Sequence, residues 1–305
     1  MNKKIIYGII GLVVVASLFF LFTKSKVENE EVSQKDYKNT EYTIDGQKVM
    51  LVGGVSETPA APGSASVVTT QYFGNEVRAD LNKDGREDVV FLVTQNNGGS
   101  GTFYYVVASL NTADGYVGSE GLLLGDRIAP QTTEMSKNPS HDNVIIVNYA
   151  DRKAGEAFTV SPSVGKSIWL KLDVDSMQFG QVEQNFEGEA DPKKMSLTMK
   201  NWTWVRVVYN DGKVVTPNKS EAFSISFKND GTFIATTDCN SAGGNYSTTE
   251  GNIKFTNTIS TLAFCEGSQE QVFIGLLTAS QAYSFTSKGE MVLDLKLDSG
   301  SVVFK

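Results

Sequence analysis

Both cysteines of the chain lie in one stretch from Asp238 to Cys265, and this stretch limits the possible folds more than any other. Cys239 and Cys265 enclose a loop of about 27 residues, which in the chain-entropy model would contribute roughly 3–4 kcal/mol to folding if oxidised. An even number of cysteines favours a disulfide in an exported chain. Two buried free thiols, or a reactive thiol with its resolving partner, are the alternatives that the sequence leaves open.

The N-terminal segment predicts that the chain is exported. Residues 5–22 form an uncharged apolar run, and about 18 residues reach roughly 27 Å as a helix, close to the thickness of the bilayer hydrocarbon. Lys3 and Lys4 precede the run, which predicts that the amino end stays in the cytoplasm. No small-residue cleavage site follows, so an uncleaved anchor is favoured over a cleaved signal peptide. We therefore expect a single-pass protein of the cytoplasmic membrane with its C-terminal domains outside the cytoplasm, in the periplasm or the medium.

Composition argues against several classes of function. The chain has 27 basic and 35 acidic side chains and a net charge of −8, which disfavours binding to nucleic acid. His141 is the single histidine of the chain. A hydrolase triad with histidine and a His-rich zinc site are therefore nearly excluded. We therefore expect a protein that is not an enzyme, and the alternative is a hydrolase whose carboxylates come together only in the fold.

The segment after the anchor is predicted to be mainly β. Apolar runs of strand length recur between turns rich in Asn, Asp and Gly, among them Val89–Gln95, Phe103–Leu110 and Val144–Tyr149. A short helix at Glu120–Leu124 is the exception that we expect. This pattern is typical of an antiparallel sandwich or barrel.

Changes in composition predict five parts of the chain. In order they are a transmembrane signal anchor (1–23), a flexible linker (24–40), a β-rich domain of no assigned family (41–186), a second linker (187–194) and a C-terminal domain (195–305).

One loop of the middle domain has the spacing of a calcium site. Oxygen-bearing side chains fall at its positions 1, 3, 5 and 9, a glycine stands at position 6, and a backbone carbonyl is available at position 7. These residues are Asp80, Asn82, Asp84, Asp88, Gly85 and, through its carbonyl, Arg86. The loop is similar to those of FG-GAP and VCBS-type repeats, a resemblance that implies calcium as the one candidate cofactor. A polar turn without a metal is the alternative.

The C-terminal segment alternates between strand patterns and one helical pattern. Phe223–Phe227 alternates strictly, so its apolar residues share one face of a strand. Val272, Phe273 and Leu276 follow helical spacing, which predicts one short amphipathic helix packed on a sheet. Asn240 with Gly243-Gly244 predicts a tight bend, with a binding turn as the alternative.

As a joint pattern, residues 195–305 resemble the META domain of HslJ-type heat-shock lipoproteins. The residues that carry the resemblance are Trp204, Phe227, Gly231, Cys239, Asn240, Gly244, Tyr246, Ser260, Thr261, Ala263, Cys265, Glu270, Phe273, Leu277, Leu293, Leu295 and Phe304. The resemblance implies a small antiparallel β-barrel with one helix, an envelope or secreted setting, and no known catalytic site. The chain departs from such lipoproteins because no cysteine follows the apolar run.

These observations favour a non-enzymatic, membrane-anchored envelope protein. Two β-rich domains outside the cytoplasmic membrane would bind an unknown protein or glycan partner, or support the envelope under stress. One alternative is an inhibitor of exported lysozyme or protease-type enzymes, which rests on family association. The other is a calcium-dependent adhesion or carbohydrate-binding module built on the loop from Asp80 to Asp88.

Overall fold

The computed structural model describes residues 36–305. The predicted anchor and residues 24–35 of the predicted linker lie outside the described residues. The last residues of that linker are part of the fold: Tyr37–Asn39 forms a 3-10 turn, and the ring centroids of Tyr37 and Phe91 lie 5.4 Å apart. None of the helices between residues 36 and 305 combines the length and apolar character needed to cross a membrane.

The first sheet of the middle segment is antiparallel, with the order β3-β4-β5-β6-β7 and with β8 paired to the other half of β6. Its strands are β3 (Val55–Pro59), β4 (Val67–Ala79), β5 (Asp88–Asn96), β6 (Phe103–Thr112), β7 (Gly115–Gly118) and β8 (Leu122–Asp126). The helix predicted at Glu120–Leu124 was wrong. So short a segment gains little as an isolated helix, whereas β6 offers it a ladder of hydrogen bonds.

A second antiparallel sheet packs on the first and makes the middle segment a sandwich. Its strands, in the order β12-β11-β10-β9, are β9 (Ala129–Met135), β10 (Val144–Asp151), β11 (Val164–Asp173) and β12 (Gln178–Gln181). Leu92 and Val106 of the first sheet share one buried core with Ile145 and Leu170 of the second. The predicted alternatives were a sandwich or a barrel, and the packing of two separate sheets is that of a sandwich.

A hairpin covers the outer face of the first sheet. It consists of β1 (Glu41–Ile44) and β2 (Gln47–Met50). Tyr42 and Ile44 of this hairpin are buried against Phe91 and Val107, in a cluster separate from the core of the sandwich. Strands β5 and β6 are therefore apolar on both faces, which explains why their sequences read as continuous apolar runs.

The C-terminal segment is an eight-stranded antiparallel barrel with one helix. Its elements are β13 (Trp202–Tyr209), the short side strand β14 (Val214–Val215), β15 (Ser224–Phe227), β16 (Thr232–Thr236), β17 (Ser241–Thr249), β18 (Asn252–Ser260), α1 (Glu270–Ala279), β19 (Ser280–Phe285), β20 (Met291–Leu295) and β21 (Gly300–Phe304). The ring closes because β13 pairs with both β15 and β21. Phe273 and Leu277 of α1 are buried in the barrel core.

The tight bend predicted at Gly243-Gly244 was wrong, because both glycines lie within strand β17. The pairing of β17 with β18 shifts register between Gly243 and Asn245, which marks a bulge. A Cβ atom at Gly244 would lie 2.8 Å from the Thr256 carbonyl oxygen and 2.9 Å from the Phe233 ring. The glycine is therefore needed for the close approach of two strands and a ring.

A buried polar contact joins the sandwich to the barrel. The Gln131 amide in β9 donates to both carboxylate oxygens of Asp294 in β20, at 3.1 and 3.0 Å, and approaches the Ser284 hydroxyl at 3.0 Å. The Ser301 hydroxyl donates to the same carboxylate at 2.9 Å. Asp294 is 3% exposed, and burial raises the pKa of its carboxyl to about 6.

Asp294 is expected to make the folding free energy depend on pH. Its pKa in the fold, about 6, lies above its ordinary value of 3.8, so the fold favours the neutral carboxyl. The resulting stabilisation is complete below pH ~4 and is lost as the pH rises through about 6. The Asp294→Asn variant stays neutral, so its melting temperature relative to wild type should rise by a few degrees between pH 4.5 and pH 7.5. Circular dichroism melts at the two pH values measure this difference, and parallel pH profiles for the two proteins would contradict it.

Candidate functional site

Two connections of the barrel meet at one corner and are joined covalently there. One leads from Thr236 at the end of β16 to Ser241 at the start of β17, and the other leads from Ser260 at the end of β18 to the start of α1. The disulfide Cys239–Cys265 joins them, with Cα atoms 5.8 Å apart. The predicted disulfide is thus confirmed. Residues 261–265 are termed the clamped loop below.

The side chain of Asn240 holds the clamped loop in place. Its amide nitrogen donates to the Ala263 carbonyl at 2.9 Å and to the Glu270 carboxylate at 2.6 Å. Its carbonyl oxygen accepts from the Thr261 hydroxyl at 2.7 Å and from the Ala263 N–H at 3.0 Å. Asn240 is 8% exposed, so these bonds are shielded from water. The arrangement is structural and also determines the direction of the loop.

The same corner holds the start of helix α1. The Asp238 carboxylate accepts from the Ser268 hydroxyl at 2.5 Å and from the Gln269 N–H at 3.3 Å. The Ser268 hydroxyl oxygen accepts in turn from the Glu270 N–H at 3.0 Å. A carboxylate next to the first N–H groups of a helix is favourable because the helix dipole is positive there. Helix, loop and disulfide therefore form one connected unit.

Two large apolar side chains project from the clamped loop into solvent. Leu262 is 97% exposed and Phe264 is 93% exposed. They alternate with Thr261, whose hydroxyl donates to the Asn240 carbonyl oxygen, and with Ala263, whose backbone N–H and carbonyl both bond the Asn240 side chain. These bonds hold the backbone on both sides of Leu262, while the Leu262 and Phe264 side chains stay in solvent. The sequence contains a short apolar run here. Its exposure was not predicted, because large apolar residues are usually buried.

The corner holds two oxidised cysteines, a buried carboxylate and a cavity beside the loop. Both cysteines are oxidised, so neither supplies a thiolate nucleophile. The Glu270 carboxylate, 6% exposed, accepts from the Asn240 amide. A cavity of about 520 Å³ lies beside the loop, and its wall includes Leu262, Phe264 and Gln271.

The predicted calcium loop folds as a turn held by its own N–H groups. The two Asp80 carboxylate oxygens accept from the Asp84 N–H at 3.0 Å and the Gly85 N–H at 2.9 Å. Asp88 is fully buried and accepts from the N–H groups of Leu81 and Asn111, both at 2.8 Å. The carboxylates of Asp80 and Asp88 therefore already accept from backbone N–H groups of the turn and of Asn111.

A guanidinium group lies within this loop. Arg86 donates to the Asp84 carboxylate at 2.5 Å and to the Asn111 carbonyl at 2.6 Å. Backbone and side-chain donors, the Arg86 N–H first among them, lower the pKa of Asp84. Over residues 36–305, no three or more His, Cys, Asp or Glu side chains are grouped as metal ligands. Calcium at Asp80, Asn82, Asp84, Arg86 and Asp88 stays a prediction.

The barrel, its single helix and the clamped loop define a small disulfide-linked β-barrel domain. Residues 195–305 match the family model of the META domain. The C-terminal third of the chain is therefore a META domain, as its sequence resemblance predicted. Comparison with curated proteins gives no match.

Two solved structures are similar to part of the chain. One is an NMR structure of a protein from Burkholderia xenovorans, at 18% identity and a TM-score of 0.32, covering 36% of this chain and 82% of the other. The other is a crystal structure of a duf4847 family protein from Bacteroides vulgatus, at 16% identity and a TM-score of 0.30, covering 35% of this chain and 92% of the other. Likenesses of this size carry no argument about function.

Replacing Asn240 is expected to destabilise the barrel strongly. The Asn240→Ala variant leaves the buried Glu270 carboxylate and the Ala263 backbone groups without these partners, at a cost of about 3 kcal/mol. Asn245→Ala is the matched control, because Asn245 is exposed and makes one side-chain bond, to Asn257. Its effect should stay within about 0.5 kcal/mol. Urea unfolding curves measure both, and equal effects would contradict a central role for Asn240.

The calcium prediction can be tested through Arg86. A bound cation stabilises the folded state by mass action, so wild type should melt higher in calcium than in chelator. Arg86→Ala removes the guanidinium that competes for Asp84 and should enlarge that shift, whereas Asp84→Asn should abolish it. Differential scanning calorimetry of the three proteins with 1 mM calcium or EGTA measures the shifts. No shift in wild type and none in Arg86→Ala would leave the loop as a turn without a metal.

Proposed function

We propose that the chain is a non-enzymatic envelope protein that binds a protein partner outside the cytoplasmic membrane through its META domain. In this proposal, residues 5–22 anchor the chain in the membrane, as their apolar sequence predicts. The sandwich and the barrel then lie on the outer side. The clamped loop is the partner-binding element.

The exposure of Leu262 and Phe264 is the observation that carries this proposal. Exposing two large neighbouring apolar side chains is unfavourable in water, at about 25 cal/mol per Å² of apolar surface. Contiguous exposed apolar groups commonly mark interaction sites. Aromatic side chains that enter a partner's pocket often carry a large share of the binding free energy.

The rigidity of the clamped loop supports the same role. The loop is held at its end by the Cys239–Cys265 disulfide and along its length by the Asn240 side chain. A loop that is already ordered loses little conformational entropy when it binds. The partner should therefore present a concave apolar pocket that accepts Phe264, with Leu262 at its edge.

An inhibitor of an exported enzyme is the second candidate function. The same projecting loop supports it, since a rigid convex loop is suited to filling a substrate cleft. Here the partner would be a lysozyme or protease, and binding would reduce its activity. The two candidates differ in the identity of the partner and in whether its activity falls.

Photo-crosslinking from the loop tests the proposed function. A benzophenone amino acid in place of Phe264, in the full chain in its native cells, should crosslink to one extracytoplasmic protein. Leu262→Ser in the same chain should reduce that crosslink at least tenfold, because it removes half of the apolar contact. Mass spectrometry of the crosslinked band identifies the partner. An activity assay of that partner then separates inhibition from other binding.

Leu123→Ser is the matched control for Leu262→Ser. Leu123 is 50% exposed and belongs to strand β8 of the sandwich, away from the barrel corner. The control should leave the crosslink within twofold of wild type. Crosslinks from position 264 to lipid alone, or crosslinks that Leu262→Ser leaves unchanged, would refute the proposed role of the loop.

A further inference from the structure

A second cavity lies between the sandwich and the barrel, at a distance in the chain from the clamped loop. Its volume is about 340 Å³, at the lower end of the range for small-molecule sites. Tyr72 and Phe73 of β4 and Tyr209 of β13 contribute aromatic walls. Boundaries between domains are frequent places for ligand sites, because both sides contribute groups to them.

An irregular strand forms one side of this cavity. The pairing of β4 with β5 shifts register twice, between Tyr72 and Gly74 and between Gly74 and Val77. Asn75 lies in the bulge with a φ of 52°, in the left-handed region that few residues other than glycine adopt. Bulges redirect side chains and are frequent next to functional sites. Here the bulge places Asn75 in the cavity wall.

Several polar groups of the wall have no partner. The Asn75 amide nitrogen and the Thr133 hydroxyl are buried and make no hydrogen bond within residues 36–305. A buried unpaired polar group costs about 1–3 kcal/mol. Arg206 of β13 also lines the cavity, and none of the ion pairs formed within that same range involves its guanidinium. Asn75, Thr133 and Arg206 all belong to the wall of one cavity.

We propose that this cavity binds a small organic carboxylate with a flat apolar body. The Arg206 guanidinium can donate two parallel hydrogen bonds to one carboxylate. Asn75 and Thr133 supply further donors from the opposite domain, and their burial without partners is relieved when a ligand accepts from them. Tyr72 and Tyr209 pack against the apolar body of the ligand.

The charges around the cavity favour a single negative charge on the ligand. Glu76 also lines the cavity. Its carboxylate is compensated by Arg78 at 3.1 Å and accepts from the Tyr72 hydroxyl at 2.8 Å. A phosphate dianion would bring two negative charges near Glu76. The guanidinium of Arg206 could balance one of them. A carboxylate carries one negative charge, which balances the single positive charge of the Arg206 guanidinium.

Fluorine NMR with a pair of small probes tests this site. The probes are 4-fluorobenzoate and its neutral amide, 4-fluorobenzamide, added to the full chain in a mild detergent, with detergent alone as the blank. The benzoate resonance should broaden in a saturable manner, and the benzamide should bind at least tenfold more weakly. Arg206→Gln should weaken benzoate binding at least tenfold.

Two further variants separate the site from general effects. Lys213→Gln removes one positive charge from an exposed residue between Gly212 and Val214 of the cavity wall and should change benzoate binding less than twofold. Thr133→Val keeps the shape of the side chain and removes an unpaired hydroxyl, so it should weaken benzoate binding severalfold without lowering the melting temperature.

Three outcomes would overturn the proposal. Equal binding of benzoate and benzamide would show an apolar cavity without carboxylate recognition. Equal losses in Arg206→Gln and Lys213→Gln would show an effect of net charge alone. Absence of benzoate binding up to 10 mM by the folded wild-type chain would exclude the site, because the probe has every feature that the cavity is proposed to recognise.

Discussion

A buried primary amide must find hydrogen-bond partners for its donors and its acceptor inside the protein. The side-chain amide of Asn240 imposes this requirement on the corner of the barrel. Its partners Thr261, Ala263 and Glu270 come from the other connection of the corner. Leaving these groups unpaired would cost more than their bonds contribute, so the two connections keep one relative position. The disulfide acts on a different state, because it chiefly restricts the unfolded chain. The Asn240 amide determines the geometry of the folded corner. The disulfide makes other conformations of the two connections less probable.

Local patterns were sufficient to predict most strands and the helix of the barrel. Phe223–Phe227 alternates and forms β15, and the apolar spacing around Phe273 forms α1. Strand β17 was not predicted because its glycines and polar residues lack an apolar face, and it exists because β16 and β18 offer hydrogen bonds on both sides. The bond between Asn240 and Glu270 has no periodic signature. Only the family resemblance placed both residues among those of interest. Nothing local could show that Leu262 and Phe264 are exposed.

The two domains also contact each other outside their own cores. Each has its own apolar core, and the cores share no residue. The contact between them includes the Gln131–Asp294 bonds and an ion pair of 3.2 Å between Glu134 and Lys288. The cavity near Arg206 is lined by residues of both domains, so a ligand there would bind both domains at once.

The closure of the barrel affects when this domain can fold during synthesis. Strand β13 is the first strand of the ring, and its partner β21 ends at Phe304. Nearly the whole domain must have left the ribosome before β13 can pair with β21 and close the ring. The sandwich, by contrast, has all its strands by Gln181 and pairs them mainly with sequence neighbours. Domains generally fold as units in the order of their synthesis, so the sandwich can be complete while the META domain is still an open chain. The incomplete barrel then exposes unpaired strand edges, so this stage of folding is open to aggregation and proteolysis.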